Sequence, residues 1–173
     1  MTDASTNDKQ AWVRGLVQQH QTTLIRYAQS IVRDEHVARD LVQETYLRLC
    51  QQSAVDLEGR EAAWLFRVCH NVAINRQRKE KRMKSGTPVV ESASTLSDAS
   101  GPLEASEDFA QVTELIKQLP ENQQKVLRLK FYGNLKYREI SESTGLTETN
   151  VGFLLHKAIG TLREKMRLLG TSH

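Results

Sequence analysis

The stretch Lys136-Tyr137-Arg138-Glu139-Ile140-Ser141-Glu142-Ser143-Thr144-Gly145-Leu146-Thr147-Glu148-Thr149-Asn150-Val151-Gly152-Phe153-Leu154-Leu155-His156-Lys157 decides the fold. Two amphipathic helical patterns, Lys136 to Thr144 and Glu148 to Met166, flank Gly145-Leu146-Thr147. Gly145 can take the left-handed geometry of a helix C-cap turn, and Thr147 can cap the helix that follows. This is the shape of a helix-turn-helix, which lays the start of its second helix in a DNA major groove. Val151, Leu155, Ala158, Leu162 and Met166 form the expected buried stripe of that helix. The groove-facing set then comes from Thr147, Glu148, Thr149, Gly152, Phe153, His156 and Lys157. His156, a lone histidine beside Lys157, reads as a surface or phosphate contact rather than a metal ligand. A plain helical hairpin is the alternative, because glycine turns also join helices that bind no DNA.

Outward from this motif, strand signals are almost absent and the helical patterns continue. Pro120 suits the first turn of a helix holding Val126, Leu127, Leu129 and Phe131, which ends before Gly133-Asn134. Phe109, Val112, Leu115 and Ile116 mark an earlier helix that stops at Leu119-Pro120. Near the N-terminus, Trp12, Leu16, Leu24, Ala28 and Ile31 line a helix with a bend expected around Gln19 to Gln21. Asp34 reads as the cap of a second helix whose buried face is Val37, Leu41, Tyr46 and Leu49. A third, from Glu61 to Arg82, carries Leu65, Val68, Cys69 and Val72 as its core stripe.

Residues 84–107 break the pattern: they are rich in Ser, Ala, Gly and Pro and have no helical period. The 173 residues thus read as an all-α protein of two small helical domains, 1–83 and 108–173, joined by a flexible acidic linker at 84–107. The first lobe holds 13 basic and 10 acidic residues, the linker 1 and 4, the second lobe 10 and 7. A net charge of +3 is too small to argue for nucleic acid, so clustering has to carry that argument. Cys50 and Cys69 have no neighbours in zinc spacing, so neither a metal site nor a cofactor is expected and both thiols read as buried. No apolar run approaches the roughly 18 residues of a membrane span, and no signal peptide is visible, so the protein is expected in the cytoplasm without membrane insertion.

Two further faces exceed what a helical core needs. Asp40, Gln43, Glu44 and Arg48 lie outward at three- and four-residue spacings, a polar ridge able to dock on a partner helix, or an ordinary solvated face. Arg67, Asn71, Asn75 and Arg78 recur on one side of the third helix, followed by a basic end that includes Arg76, Lys79, Lys81, Arg82 and Lys84. A frayed basic helix end explains the cations but not two asparagines in mid-helix, where their propensity is poor. Asparagine can hydrogen-bond base edges while Lys and Arg neutralise phosphates, so this face reads as a nucleic-acid surface.

Together these segments resemble a bacterial sigma factor of the extracytoplasmic-function group, in the sigma-70 family of RNA polymerase initiation subunits. Asp40-Leu41-Val42-Gln43-Glu44 is similar to the family's clamp-docking helix, and Ala63-Trp64-Leu65-Phe66-Arg67-Val68 with Asn71 to its −10 element helix. Leu119-Pro120 through Tyr137-Arg138-Glu139-Ile140 and Gly145-Leu146 resembles the −35 element domain. The resemblance implies a non-enzymatic protein that binds core RNA polymerase at its clamp and flap and recognises promoter DNA. Docking falls to Asp40, Gln43, Glu44 and Arg48. Contact with the −10 element falls to Arg67, Asn71, Asn75, Arg76, Arg78, Lys79 and Arg82, with the preceding loop, Ser53 to Arg60, helping to hold a flipped base. The −35 set adds Arg138 to the residues already named on the helix-turn-helix. The resemblance also implies an anti-sigma factor as a partner, and no small-molecule substrate. The chain departs from the family at Gly152-Phe153-Leu154, where a Lys-Ser-Arg-like run is common, at Lys136, where Ser is common, and at Asn75, where an acidic residue is frequent. Phe153 is expected either to touch a thymine methyl or to pack on the adjoining helix. A helix-turn-helix regulator that binds duplex DNA without polymerase is the competing class. A purely interacting helical protein is a third, and it leaves the asparagine-bearing helix without a purpose.

Overall fold

In the computed structural model, residues 2–85 and 107–170 are described, and they form eight helices and no strand among the described residues. The helices fall into two units, one on each side of the segment 86–106, and each has its own core. The acidic linker expected at 84–107 lies almost wholly outside the described residues, with Glu91, Asp98 and Glu104 in it.

In the N-terminal unit, α1 (Thr2–Val32), α2 (Glu35–Leu49) and α4 (Glu61–Lys84) pack pairwise on one another, and the short α3 (Ala54–Leu57) links α2 to α4. The expected bend in α1 does not occur; the helix runs unbroken to Val32. It stops where Arg33 turns left-handed, at φ 61°, and Asp34 starts α2 by accepting the Val37 N–H at 3.0 Å. Gln77 of α4 reaches back to donate to the Ile31 carbonyl at 2.5 Å, satisfying one of the acceptors that a helix end leaves open.

The centre of this core is aromatic. Tyr27 and Phe66 are fully buried, their rings edge-to-face at 5.4 Å, and the Tyr27 hydroxyl lies 2.9 Å from His70 Nδ1. Tyr27 was not among the apolar positions expected of α1; a phenol enters a core when its hydroxyl finds a partner, which here comes from a helix 43 residues away. On α2 the buried face is Ala38, Leu41, Val42, Thr45 and Leu49, while Val37 and Tyr46 sit half-buried on its edges. Thr45 can enter the core because its hydroxyl donates to the Leu41 carbonyl at 2.8 Å. On α4, Leu65, Cys69 and Val72 are buried as expected, Val68 is half-buried, and Ala63, Phe66 and Ala73 complete the face. The two cysteines differ: Cys69 is buried and Cys50, at the end of α2, is exposed. Burial pushes the Cys69 thiol up to about 12, opposed in part by a hydrogen bond with Thr45. Burial, and then the neighbouring Cys69, raise the Tyr46 phenol too, and its buried hydroxyl has no hydrogen-bond partner among the described residues.

In the C-terminal unit, α5 (Glu107–Lys117), α6 (Glu121–Phe131) and α7 (Tyr137–Thr144) all pack on α8 (Glu148–Gly170). Pro120 sits one residue before α6. Gln124 of α6 donates to the carbonyls of Lys117 and Leu119 at 3.0 and 2.7 Å, which closes the end of α5. Leu115 and Ile116 are buried, Val112 is half-buried, and the Phe109 side chain lies outside the described residues. Phe131, expected in the core, is 63% exposed, because α6 ends there and Leu135 fills the interior instead. On α8 the buried stripe is Val151, Leu154, Leu155 and Ala158; Leu162 is half-buried, and Met166 is 46% exposed because the helix outruns its neighbours. No helix among the described residues is long and apolar enough to cross a membrane.

Candidate nucleic-acid interface

Three exposed faces carry the residues singled out in the sequence. The first lies on α4. Arg67, Asn71, Asn75, Arg78 and Arg82 follow one another at three- or four-residue steps and are all exposed, so one solvent-facing stripe runs along the helix. Trp64 belongs to the same stripe one turn earlier and is half-buried, with part of its indole in contact with the unit and part open to solvent. From Asn75 to Lys84 only Gln77 is even half-buried, so this part of α4 has run past the core and offers its cations on every side. Arg76 stands off the stripe and pairs with Glu80 at 2.9 Å, and Lys79 lies on the stripe's flank. The segment Ser53–Arg60, expected as a loop, contains α3, closes with Gly59 at φ 75°, and bears Val55 at 80% exposure. Arg60 is tied to this turn through the Asp56 carbonyl at 2.7 Å.

The second face is on α2, where Asp40, Gln43, Glu44 and Arg48 are all exposed. Arg48 and Glu44 form an ion pair at 2.7 Å with both side chains about half in water, an arrangement that contributes only about 0.3–0.5 kcal/mol and exchanges readily for an outside partner. Sequence reasoning passed over Leu47, which is 68% exposed in the middle of this ridge, four residues after Gln43 and three after Glu44. It is a single apolar side chain among polar neighbours rather than a continuous apolar patch. The signal was present: Leu47 falls out of step with Leu41 and Leu49, the two leucines of α2 that point inward.

The third face belongs to the helix-turn-helix. Gly145 takes φ 77° and its N–H donates to the Ser141 carbonyl at 2.9 Å, while Thr147 accepts the Asn150 N–H at 3.2 Å and starts α8. The turn is tightened by the Ser141 hydroxyl, which donates to the Leu146 carbonyl at 2.6 Å. At the start of α7, Glu139 accepts the Lys136 N–H at 2.7 Å; a lysine side chain has no acceptor, so the reciprocal half of a capping box is missing. Opposite the buried stripe of α8, Thr149, Phe153, His156 and Lys157 are exposed, as are Thr147 and Glu148, and Gly152 is half-buried. Arg138 is exposed on α7 and pairs with Glu142 at 3.1 Å. A Cβ at position 152 would lie 3.4 Å from the Tyr137 ring, so Tyr137 occupies the space beside this glycine. Leu154 is core, which leaves Phe153, 55% exposed, as the one large side chain of Gly152-Phe153-Leu154 that faces water. Its ring lies 5.1 Å from the Lys157 ammonium. Asn150, also exposed, was missed, although it stands seven residues before Lys157 on the same edge. Among the described residues no group of His, Cys, Asp or Glu could hold a metal ion.

Comparison with known proteins accounts for both units. The sigma-70 region 2 family matches residues 16–83 and the sigma-70 region 4 family residues 109–162, together well over half the chain. The ECF RNA polymerase sigma factor SigL of Mycobacterium tuberculosis is 28% identical over 94% of this chain and 93% of its own. SigM of Bacillus subtilis, also an ECF RNA polymerase sigma factor, is 25% identical over 89% and 92%. Among solved structures, CnrH in complex with the cytosolic domain of CnrY superposes with a TM-score of 0.65 at 21% identity, covering 92% of this chain and 90% of that one. The sigma factor RpoE in complex with the anti-sigma factor NepR, from Bartonella quintana, gives 0.59 at 20% identity over 89% and 98%. These two show a shared fold.

Proposed function

Because this chain belongs to the extracytoplasmic-function group of the sigma-70 family, and so directs RNA polymerase to start transcription at particular promoters, we propose that its three exposed faces divide that task. The domains are taken as 1–83 and 108–173 with 84–107 as the linker. The α2 ridge of Asp40, Gln43, Glu44 and Arg48, with Leu47 at its centre, docks on the polymerase clamp. The α4 stripe then meets the −10 element. Arg67, Arg78, Lys79 and Arg82, joined by Arg76 once it leaves Glu80, hold phosphates, while Asn71 and Asn75 reach bases that have left the stack. Extruding a base costs a few kcal/mol, and contacts from the α3 segment and the open side of Trp64 offset that cost. Helix α8 enters the major groove of the −35 element with Thr147, Glu148, Thr149, Gly152, Phe153, His156 and Lys157 leading, and Arg138 meets the backbone beside it. The second unit rests on the polymerase flap.

The observation that carries this reading is the α4 stripe: five exposed polar side chains in register, two of them asparagines, on a helix that runs past the core from Asn75 onward. The protein acts by binding alone, without an active site, in the cytoplasm where polymerase and promoter meet. By analogy with CnrH and RpoE, both solved in complex with a protein partner, an anti-sigma factor that covers the α2 and α4 faces would hold it inactive. The test is purified chain with core RNA polymerase on a promoter library. Specific starts that need both components support the reading. Specific retardation of duplex DNA by the chain alone, with no effect of polymerase on start sites, points to the regulator instead.

A further inference from the structure

On the recognition helix, the ring of Phe153 lies in water with the Lys157 ammonium 5.1 Å from its centroid, one helical turn along. That distance falls inside the range at which an aromatic face attracts a cation. Elsewhere in the unit, Lys130 lies 5.6 Å from the Tyr137 ring, but its ammonium also donates to the Leu135 carbonyl at 3.2 Å and is committed to the fold. Lys157 makes no such bond among the described residues, so its three donors are available to an outside acceptor. An exposed ring thus holds an uncommitted cation at a set position on the face that meets the groove.

We propose that Phe153 and Lys157 act as one reading unit that selects a thymine and a guanine no more than two base steps apart in the −35 element. The proposal rests on the reading that α8 enters that groove. In the major groove the thymine methyl is the apolar feature that a phenyl ring can cover, and guanine O6 and N7 are the acceptors that a lysine seeks. One helical turn rises about 5.4 Å, against about 3.4 Å per base step, which sets the spacing of the two bases. The ring does two things: it covers the methyl, and it keeps the long lysine stem from sweeping across neighbouring phosphates. Phe153 therefore changes what Lys157 reads as well as reading a base itself, which makes it a specificity-determining residue.

The experiment uses the holoenzyme, this chain with core polymerase, on promoters with a randomised −35 segment, scored by sequencing the transcripts. The wild type should enrich the thymine–guanine pair roughly fivefold or more over other bases at those positions. Phe153→Ala should flatten both preferences to less than about twofold. Lys157→Ala should flatten only the guanine preference. Phe153→Leu, which keeps an apolar surface but no ring, should retain thymine and lose guanine. Deoxyuridine in place of the selected thymine should reproduce the thymine loss with wild-type protein. Preferences unchanged in Phe153→Ala, a guanine preference retained in Phe153→Leu, or a drop that is uniform across all sequences would overturn the pairing. Absence of chain-dependent starts with the wild type would instead sink the functional reading, and the pairing with it.

Discussion

Replacing Leu47 by alanine takes apolar surface from water in the free protein, so it should leave the melting temperature unchanged or slightly higher while weakening binding to core polymerase. A titration against fluorescently labelled core enzyme checks this, with roughly tenfold loss of affinity expected if Leu47 is an anchor of the docking face. The two cysteines make a second residue-scale test. Cys50 should react with a thiol reagent at neutral pH in the native protein and Cys69 only on unfolding, because burial keeps its thiol protonated and covered. A folded-state value of about 12 against an ordinary 9.0 means that Cys69 stabilises the fold fully below pH 9. That contribution fades as pH rises through about 9 to about 12, and Cys69→Ala should remove that part of the pH dependence of the urea midpoint. Which single residues face outward was partly legible in the sequence. Arg67, Asn71, Asn75 and Arg78 were, because period alone separates them from the core, whereas Cys50 was expected inside by residue type and the structure exposes it.

At the scale of an element, helix ends and stripes decide what survives substitution. Lys136→Ser would complete the capping box that Glu139 already half makes, raising stability by about 0.5–1 kcal/mol by thermal or urea unfolding. Gly145→Ala would force a Cβ into φ 77° and lower stability by about 1 kcal/mol or more, and it should also loosen the angle between α7 and α8. Ser143 offers the opposite sign: its buried hydroxyl has no partner among the described residues, so Ser143→Ala should be neutral or stabilising. These ends were readable because caps depend on two or three neighbouring residues. The phases of α2 and α8 were not fully readable. Ala38, Val42, Thr45 and Leu154 take the core positions expected of Val37, Tyr46 and Met166. A rotation that small is set by the neighbouring helices, and one sequence does not contain it. Tyr27 is the clearest case: it stands on the stripe of Leu24, Ala28 and Ile31, but the partner that lets its hydroxyl be buried, His70, lies on α4, 43 residues away.

At the scale of the whole molecule, the order of the segments carried more than any one of them. A basic helix, a polar connector and a helix-turn-helix are each common, yet their succession specified a two-part promoter reader whose class the family matches bear out. What the order left open is chemistry at Gly152-Phe153-Leu154, where one residue is core, one faces Tyr137 and one faces solvent. In the proposed function the α4 stripe, once α2 has docked, contacts the opened strand of the −10 element. The direct measurement is permanganate reactivity of promoter thymines in complexes formed by wild type and by an Asn71→Ala, Asn75→Ala double variant, at matched occupancy of core polymerase. Both positions are exposed, so the variant should fold and dock as the wild type does. Reactive thymines are expected across the −10 element with the wild type, and a reduction of roughly tenfold or more with the variant. Equal reactivity in the two complexes would contradict it.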